Sequence, residues 1–383
     1  MNEKAKTKLE RADATDAQES SDESPGFSGQ PVQHLREVLS SAHRAAPDKE
    51  LLVLTHRSPD PDGLGACEGI RRLCSEAGFN IPLEVATVGR IQRAENLTML
   101  RALDLELADY NQLDLSRFFG VVLVDSQPQF GHTIVPEALP MLAVFDHHVP
   151  PKSGAAHVEI AHRDVRLGIG ASSSIIYEYL RDSKIEIDEK TASALFCGVR
   201  YDTADLSRNS SPLDEEAYYE TFRRSDRPSI ARINHPTLPR SYYSELHEAL
   251  SLGCQHGALV IALLSRVSHP EFVAEMADFF LRMKGCSWVV VGGAYEEGGK
   301  ASYVLSLRTD YAFGNAYPLM ARVLDGAGSF GGHGHIAGGR VQLDDMGEST
   351  IASAERRLRA NALAILGTAD EGESIPKEGR PLS

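Results

Sequence analysis

The sequence predicts an α/β protein with a parallel-sheet domain first and a smaller α/β domain second. Three observations lead there. Short apolar runs, Leu51–Leu54, Val121–Val124 and Met141–Phe145, alternate with stretches of helical period. Continuous apolar runs of this length suit strands buried on both faces of a parallel sheet. These runs end in Asp or His within two residues, and open parallel sheets bind ligands beyond the carboxyl ends of their strands. Finally, 383 residues with 42% apolar and 24% charged side chains make an ordinary globular composition, long enough for two domains.

Taken in order, residues 1–30 are rich in Glu, Asp, Ser and Ala and read as a disordered tail. Val32–Ala45 has a helical period, and Leu51–Leu54 reads as a strand followed by a Pro/Asp/Gly turn. Leu64–Ala77 reads as a helix with Cys67, Ile70, Cys74 and Ala77 on one face. Val121–Val124 and Met141–Phe145 are the next strands. The chain turns Pro- and Arg-rich over Arg223–Pro239, which marks a domain boundary, and Ser241–Leu252 reads as a helix leading onward. Beyond it come a strand over Ala258–Val267, a helix over Glu271–Lys284, strands over Trp288–Gly292 and Tyr303–Leu307, and a helix over Ala316–Leu324. A Gly-rich loop, Gly326–Gly339, and a closing helix near Ile351–Leu366 complete the pattern. The expected domains are 31–235 and 253–367, joined by a linker helix over 236–252, with a second disordered tail over 368–383. Motifs on both sides of the linker imply an active-site cleft between the domains.

Lys and Arg number 39 against 54 Asp and Glu, a net charge of −15. That disfavours long duplex DNA and anionic bilayers as partners. A short anionic substrate is compatible if metal ions supply positive charge. The longest wholly apolar stretch, Ala258–Leu264, is 7 residues, far below the ~20 that span a bilayer, and the N-terminus shows no signal-peptide core. Five cysteines without a CxxC read as reduced thiols in a cytoplasmic protein.

Four segments carry chemistry. After the first strand, His56, Asp60 and Asp62 stand at i, i+4 and i+6, with Pro59 and Pro61 stiffening the turn. Asp125 ends the second strand, and Asp146-His147-His148 follows the third. Asp202 follows the apolar stretch Ala194–Cys197. Taken singly, each acid could be a helix cap or a solvated turn. Together they place Asp or His in a loop after an apolar run four times over. His plus Asp donors favour Mn, Fe, Co or Zn over Ca. The four carboxylates Asp60, Asp62, Asp125 and Asp202 balance two divalent cations; without metal they would repel and shift one another's pKa upward. No Gly-x-Ser-x-Gly elbow or P-loop offers a rival nucleophile or phosphate site. Seven further arginines (Arg57, Arg200, Arg208, Arg223, Arg224, Arg227 and Arg232) read as solvated charge, with one or two suited to contact phosphate.

The order His-x-x-x-Asp-x-Asp, strand-end Asp, Asp-His-His and Gly-x-x-x-Asp-Thr resembles the DHH phosphoesterase superfamily. Gly331-Gly332-His333-Gly334-His335-Ile336-Ala337-Gly338 resembles the Gly-Gly-Gly-His-x-x-Ala-Ala-Gly signature of the DHH-associated C-terminal domain. The likeness covers about residues 48–345 and is nearest to the nanoRNase/pAp-phosphatase type. Gly63, Ala66, Phe330 and Ile336 depart from the usual Ala, Ser, Gly and Ala, and none is a ligand position. The resemblance implies two divalent metals, usually manganese. His56, Asp60 and Asp125 would hold one; Asp62, Asp125, His147 and Asp202 the other. His148 would contact the scissile phosphate or leaving oxygen, and Asp146 would orient an imidazole. Arg308, His333 and the backbone of Gly331 and Gly332 would bind substrate.

Two metals roughly 3.5–4 Å apart can share a hydroxide for in-line attack on phosphorus. The expected function is therefore hydrolysis of short oligonucleotides, linear dinucleotides or pAp to mononucleotides. A pyrophosphatase or polyphosphatase of the same superfamily, and a catalytically silent nucleotide-binding regulator, are the rival readings. The expected partner is a short nucleotide; the oligomeric state, a homodimer included, stays open.

Overall fold

The computed structural model describes residues 31–76, 78–131, 133–150, 158–310, 315–366 and 380–382, and at His333 the backbone alone. Residues 1–30 and 368–379 of the expected tails, and Ala77 of the expected helix face, lie outside the described residues. The chain divides into two units, one of residues 31–91 and 98–234, the other of 92–97 and 235 onward.

In the first unit the apolar runs fold as strands because successive side chains find apolar partners on opposite faces. The strands are β1 (Glu50–Leu54), β2 (Leu83–Thr87), β3 (Ala108–Asp109), β4 (Phe118–Val124), β5 (Met141–Asp146) and β6 (Ile160–Val165). They form one sheet in the order β3-β2-β1-β4-β5-β6, parallel at every pairing. Leu51 and Val53 belong to one core, Leu52 and Leu54 to the core on the other face. The first core is completed by α1 (Pro31–Ala45), α2 (Pro61–Ser75), α4 (Ser172–Asp182) and α5 (Glu189–Asp202). The short helix α3 (Ala94–Ala102) is divided between the two units at Thr98, and α6 (Pro212–Arg224) and α7 (Arg227–Asn234) lie among the remaining connections of the first. The strand order reverses between β1 and β4. That is the crevice where doubly wound sheets bind ligands.

Two departures from expectation have local causes. Helix α2 begins at Pro61 rather than Leu64, because Asp60 Oδ1 accepts hydrogen bonds from the backbone N–H of Asp62 (2.9 Å) and Gly63 (3.1 Å) and Pro61 suits the first helical position. Asp62 therefore sits in a helical turn and not in a loop. β2, β6 and α4 carry no unbroken apolar run. Residues such as Glu84, His162, Arg163 and Asp164 interrupt β2 and β6.

The second unit holds α8 (Arg240–Leu252), β7 (Cys254–His256), β8 (Leu259–Leu264), α9 (Pro270–Leu281), β9 (Trp288–Glu297) and β10 (Lys300–Thr309). After these come α10 (Ala316–Leu324), β11 (Ser329–His333), β12 (Ile336–Gln342), α11 (Glu348–Leu366) and β13 (Arg380–Pro381). The seven strands pair in the order β11-β12-β10-β9-β8-β7-β13, with β8 and β9 parallel and the other pairs antiparallel. β9 and β10 are longer than expected. They meet in a two-residue turn at Gly298 and Gly299, both at positive φ (57° and 76°), the backbone that tight hairpins require.

The expected Gly-rich loop is instead a hairpin of β11 and β12, with Phe330 opposite Gly339, Gly331 opposite Gly338 and Gly332 opposite Ala337. Gly332 is needed there: it lies at φ 142°, and a Cβ on it would collide with the backbone of Ile336 and Ala337. The second tail is also corrected in part. Arg380 and Pro381 pair with β7, and Leu382 packs on the core between β8 and α9. Among the described residues, no helix is long and apolar enough to cross a membrane.

Candidate metal centre

The first unit brings six of the expected ligands together at the β1–β4 crevice. His56 follows β1, Asp60 caps α2 and Asp62 lies in its first turn. Asp125 follows β4 and is held at φ 54°, a left-handed conformation uncommon outside glycine that marks many functional sites. His147 follows β5. Asp202 is the last residue of α5, so the expectation of a loop after an apolar run is wrong for this ligand. A carboxylate at a helix C-terminus is opposed by the helix dipole. Arg208, expected as a solvated charge, offsets this by donating from Nε (3.1 Å) and Nη2 (2.8 Å) to the Asp202 carbonyl. The intervening Ala204, Asp205 and Leu206 form a left-handed turn at φ 47°, 55° and 63°.

The donor atoms fall into overlapping groups. His56, Asp60 and Asp125 place a ligand atom each within 4.8 Å of one another, as do Asp62, His147 and Asp202, and Asp125, His147 and His148. His56 Nε2 lies 3.4 Å from Asp125 Oδ2 and 3.9 Å from Asp60 Oδ1. His147 Nε2 lies 3.0 Å from Asp202 Oδ2, 3.6 Å from Asp125 Oδ1 and 3.8 Å from Asp62 Oδ2. Asp125 is common to both sides, one oxygen toward each imidazole.

Two features show that the donor set fits divalent cations. The His56 Nδ1 donates to the Arg57 carbonyl at 3.0 Å, leaving Nε2 toward the carboxylates, the arrangement metal-bound histidines favour. His147 Nε2 is buried and makes no hydrogen bond of good geometry, although carboxylate oxygens surround it.

The electrostatics agree. Burial raises the Asp62 carboxyl well above its ordinary value, with Asp125 and Asp202 adding repulsion. Burial likewise raises Asp202, with Asp60 adding to it. Burial opposes charge on His56 and His147, yet Asp125 and Asp60 raise the former and Asp202 the latter. Asp125 is held well below the carboxylate range despite its burial, because His56, His148 and His147 face it.

Asp146 is fully buried at the end of β5. Its Oδ1 lies 2.8 Å from His148 Nδ1, so it orients that ring. Sequence reasoning missed Gln127, whose Nε2 donates to Asp146 Oδ2 (2.6 Å) and to the His148 carbonyl (2.7 Å). Also missed were Ser172 and Ser173 at the start of α4. Their N–H groups donate to Asp62 Oδ2 (2.6 Å) and Oδ1 (2.8 Å), and Ser172 Oγ donates to Asp125 Oδ1 (2.9 Å). A helix N-terminus is a natural anion site. The run Gly170-Ala171-Ser172-Ser173-Ser174, small and hydroxyl-rich ahead of an apolar stretch, was the available signal.

The expected substrate-binding residues lie in the second unit. Arg308 on β10 and His333 on β11 both pair with Ile336 of β12, from either side. Arg308 is largely buried; its Nε donates to Asp278 Oδ1 (2.5 Å) and Nη1 to Ser306 Oγ (2.6 Å). Gly331 and Gly332 are strand residues, Gly332 at φ 142°. The side chain of His333 lies outside the described residues.

Residues 50–199 match the family described as the DHH family, N-terminal domain. Over this stretch the chain matches a DHH domain. This agrees with the resemblance read from the sequence; the crevice residues from His56 to His148 fall inside the match, and Asp202 lies three residues beyond it. An uncharacterized protein of Methanocaldococcus jannaschii is 26% identical over 84% of this chain, and the chain spans 65% of that relative's length. An exopolyphosphatase-related protein from Bacteroides fragilis shares the fold, with a TM-score of 0.64 at 16% identity over 87% of this chain and 98% of that one. A RecJ from Thermus thermophilus, crystallised with Mn2+, overlaps with a TM-score of 0.46 at 13% identity, covering 93% of this chain and 57% of that one.

The first unit is packed tightly beneath the candidate ligands. A Cβ on Gly198 would collide with Ser173 Oγ and lie 2.9 Å from Asp62 Oδ1. Gly198→Ala is expected to displace both and weaken the cation held by Asp62, His147 and Asp202 by at least about tenfold, while the His56 side is nearly unchanged. Manganese titration followed by electron paramagnetic resonance reads the two sites separately; equal affinities in variant and parent would refute the expectation.

Proposed function

We propose that this chain hydrolyses short nucleotides to mononucleotides with two divalent cations, manganese for preference. The substrates would be oligoribonucleotides of two to five units, linear dinucleotides or a 3′-phosphorylated adenosine 5′-phosphate. The hydrolase class, a metal-dependent phosphoesterase, rests on the DHH-domain match and on the His and Asp side chains gathered at the crevice. The observation that carries the reading is Asp125, one buried carboxylate facing His56 on one side and His147 on the other.

Bound there, two divalent cations supply charge for the phosphate and lower the pKa of an attacking water toward ~7. The protein's own groups do the rest. His56, Asp60 and Asp125 would hold one cation, and Asp62, His147, Asp202 and the shared Asp125 the other. Burial opposes a charged His148, but Asp146 and Asp125 raise its pKa. It would therefore carry a proton on Nε2 toward the leaving oxygen, with Nδ1 anchored by Asp146 and that carboxylate by Gln127. Such chemistry depends on positioning and charge stabilisation. The net charge of −15 favours short substrates over a basic track for long strands.

The test incubates manganese-loaded protein with a 5′-phosphorylated RNA dimer, a 24-mer, pAp, cyclic di-AMP and pyrophosphate. Mononucleotide from the dimer, with the 24-mer intact, is the expected result. Orthophosphate from pyrophosphate alone would overturn the proposal in favour of a pyrophosphatase.

A further inference from the structure

Asp214 is fully buried in the first turn of α6, 12 residues beyond the last expected ligand, and no role was foreseen for it. Its carboxylate accepts four hydrogen bonds. Oδ2 takes the Ser211 N–H (2.7 Å), the Ser211 hydroxyl (2.6 Å) and the Gly170 N–H (2.8 Å); Oδ1 takes the Ser174 hydroxyl (2.6 Å). The bond from the Ser211 N–H, with the return bond from the Asp214 N–H to Ser211 Oγ (3.2 Å), forms the capping box of α6. The bonds from Gly170 and Ser174 serve no cap. They reach back 44 and 40 residues to the segment that opens α4.

That segment is the one that grips the ligands. Between Gly170 and Ser174 lie Ser172 and Ser173, which hold both oxygens of Asp62 and one of Asp125. The same segment presses on the turn that leaves Asp202. A Cβ on Gly170 would meet Asn209 O at 2.8 Å and Thr203 Cγ2 at 2.8 Å. A single carboxylate thus ties together the segment beneath Asp62 and Asp125 and the segment following Asp202. Its hydrogen bonds fix the spacing of the two.

We propose that Asp214 is a positioning residue for the cation held by Asp62, His147, Asp202 and Asp125. It sets the distance between the serine pair and the end of α5, and leaves the His56–Asp60 side alone. The inference rests on the two-cation reading above, and its test separates the two. Manganese is titrated into parent, Asp214→Ala and Ser174→Ala proteins, with electron paramagnetic resonance reporting each site and circular dichroism and melting curves reporting the fold. Titrations are run well below each melting temperature, where a purely architectural role leaves site affinities unmoved.

The expected parent binds two ions. In Asp214→Ala one site keeps its affinity and the other weakens 10- to 100-fold, the range for residues that support metal ligands. Ser174→Ala, which loses one of the four bonds, weakens the same site by a smaller factor. Two sites of parental affinity in folded Asp214→Ala would overturn the proposal. Should that variant not fold, unchanged affinities in Ser174→Ala would overturn it equally. A parent that binds no manganese would overturn the metal centre itself.

Discussion

Asp125→Asn is expected to lower turnover of a short nucleotide substrate by at least about a thousandfold while leaving the far-ultraviolet circular dichroism unchanged. Asp125 serves both donor groups, with oxygens 3.4 Å from His56 Nε2 and 3.6 Å from His147 Nε2. Loss of its charge weakens both cations together. Metal charge stabilisation is worth several kcal/mol in the transition state, and ~4 kcal/mol is about a thousandfold in rate. An amide of the same shape keeps the contact with Ser172 Oγ, so the left-handed turn after β4 has no reason to rearrange. Steady-state rates at saturating manganese check this. Activity within about tenfold of the parent would show that Asp125 is not shared.

Removing the cations is expected to lower the melting temperature of the first unit by roughly 10–20 °C. Each ion at a hundred times its dissociation constant contributes about 2.7 kcal/mol, and a domain of this size shifts roughly 2–4 °C per kcal/mol. The gap between loaded and chelated protein should widen from pH 5.5 to 7.5. His56 and His147 have raised pKa values in the cation-free fold. Their contribution is full below the unfolded value near ~6.5 and is lost as pH rises through the folded values. Asp62 and Asp202 are also raised, and the cation-free fold likewise loses their contribution as pH rises. Cations must displace these protons, so binding tightens in the same direction. Melting curves with manganese or with chelator at the two pH values measure the gap; a gap larger at pH 5.5 would contradict the assignment.

Much of this centre is legible because backbone rules make it so. A strand buried on both faces must be apolar throughout, so Leu51–Leu54 and Val121–Val124 stand out, and the polar residue that ends each run marks the crevice. What escaped is carried by residues that obey other rules. Asp202 reads as a ligand but not as the end of a helix, since its preceding apolar stretch, Ala194–Cys197, lies within the buried α5 and is not a strand. β6 contains His162, Arg163 and Asp164, which a strand at the edge of a sheet tolerates and a periodicity argument discards. Ser172, Gln127 and Asp214 act by hydrogen bonds to partners 19 to 110 residues away, a distance over which a single sequence carries no pairing signal. The Gly326–Gly339 stretch misleads in the other direction. Gly328, Gly332 and Gly339 serve a close-packed hairpin, where a Cβ would meet the backbone of β12 or side chains of α10, and composition alone reads the stretch as a loop.

The strand order has one more consequence. Because β1 and β4 are neighbours in space while β3 lies at the sheet edge, the turn between Asp109 and Arg117 returns from that edge to β4 without contributing a ligand. That largely exposed turn can change in length without touching the pocket. It is the natural place to graft a reporter peptide or look for lineage-specific insertions.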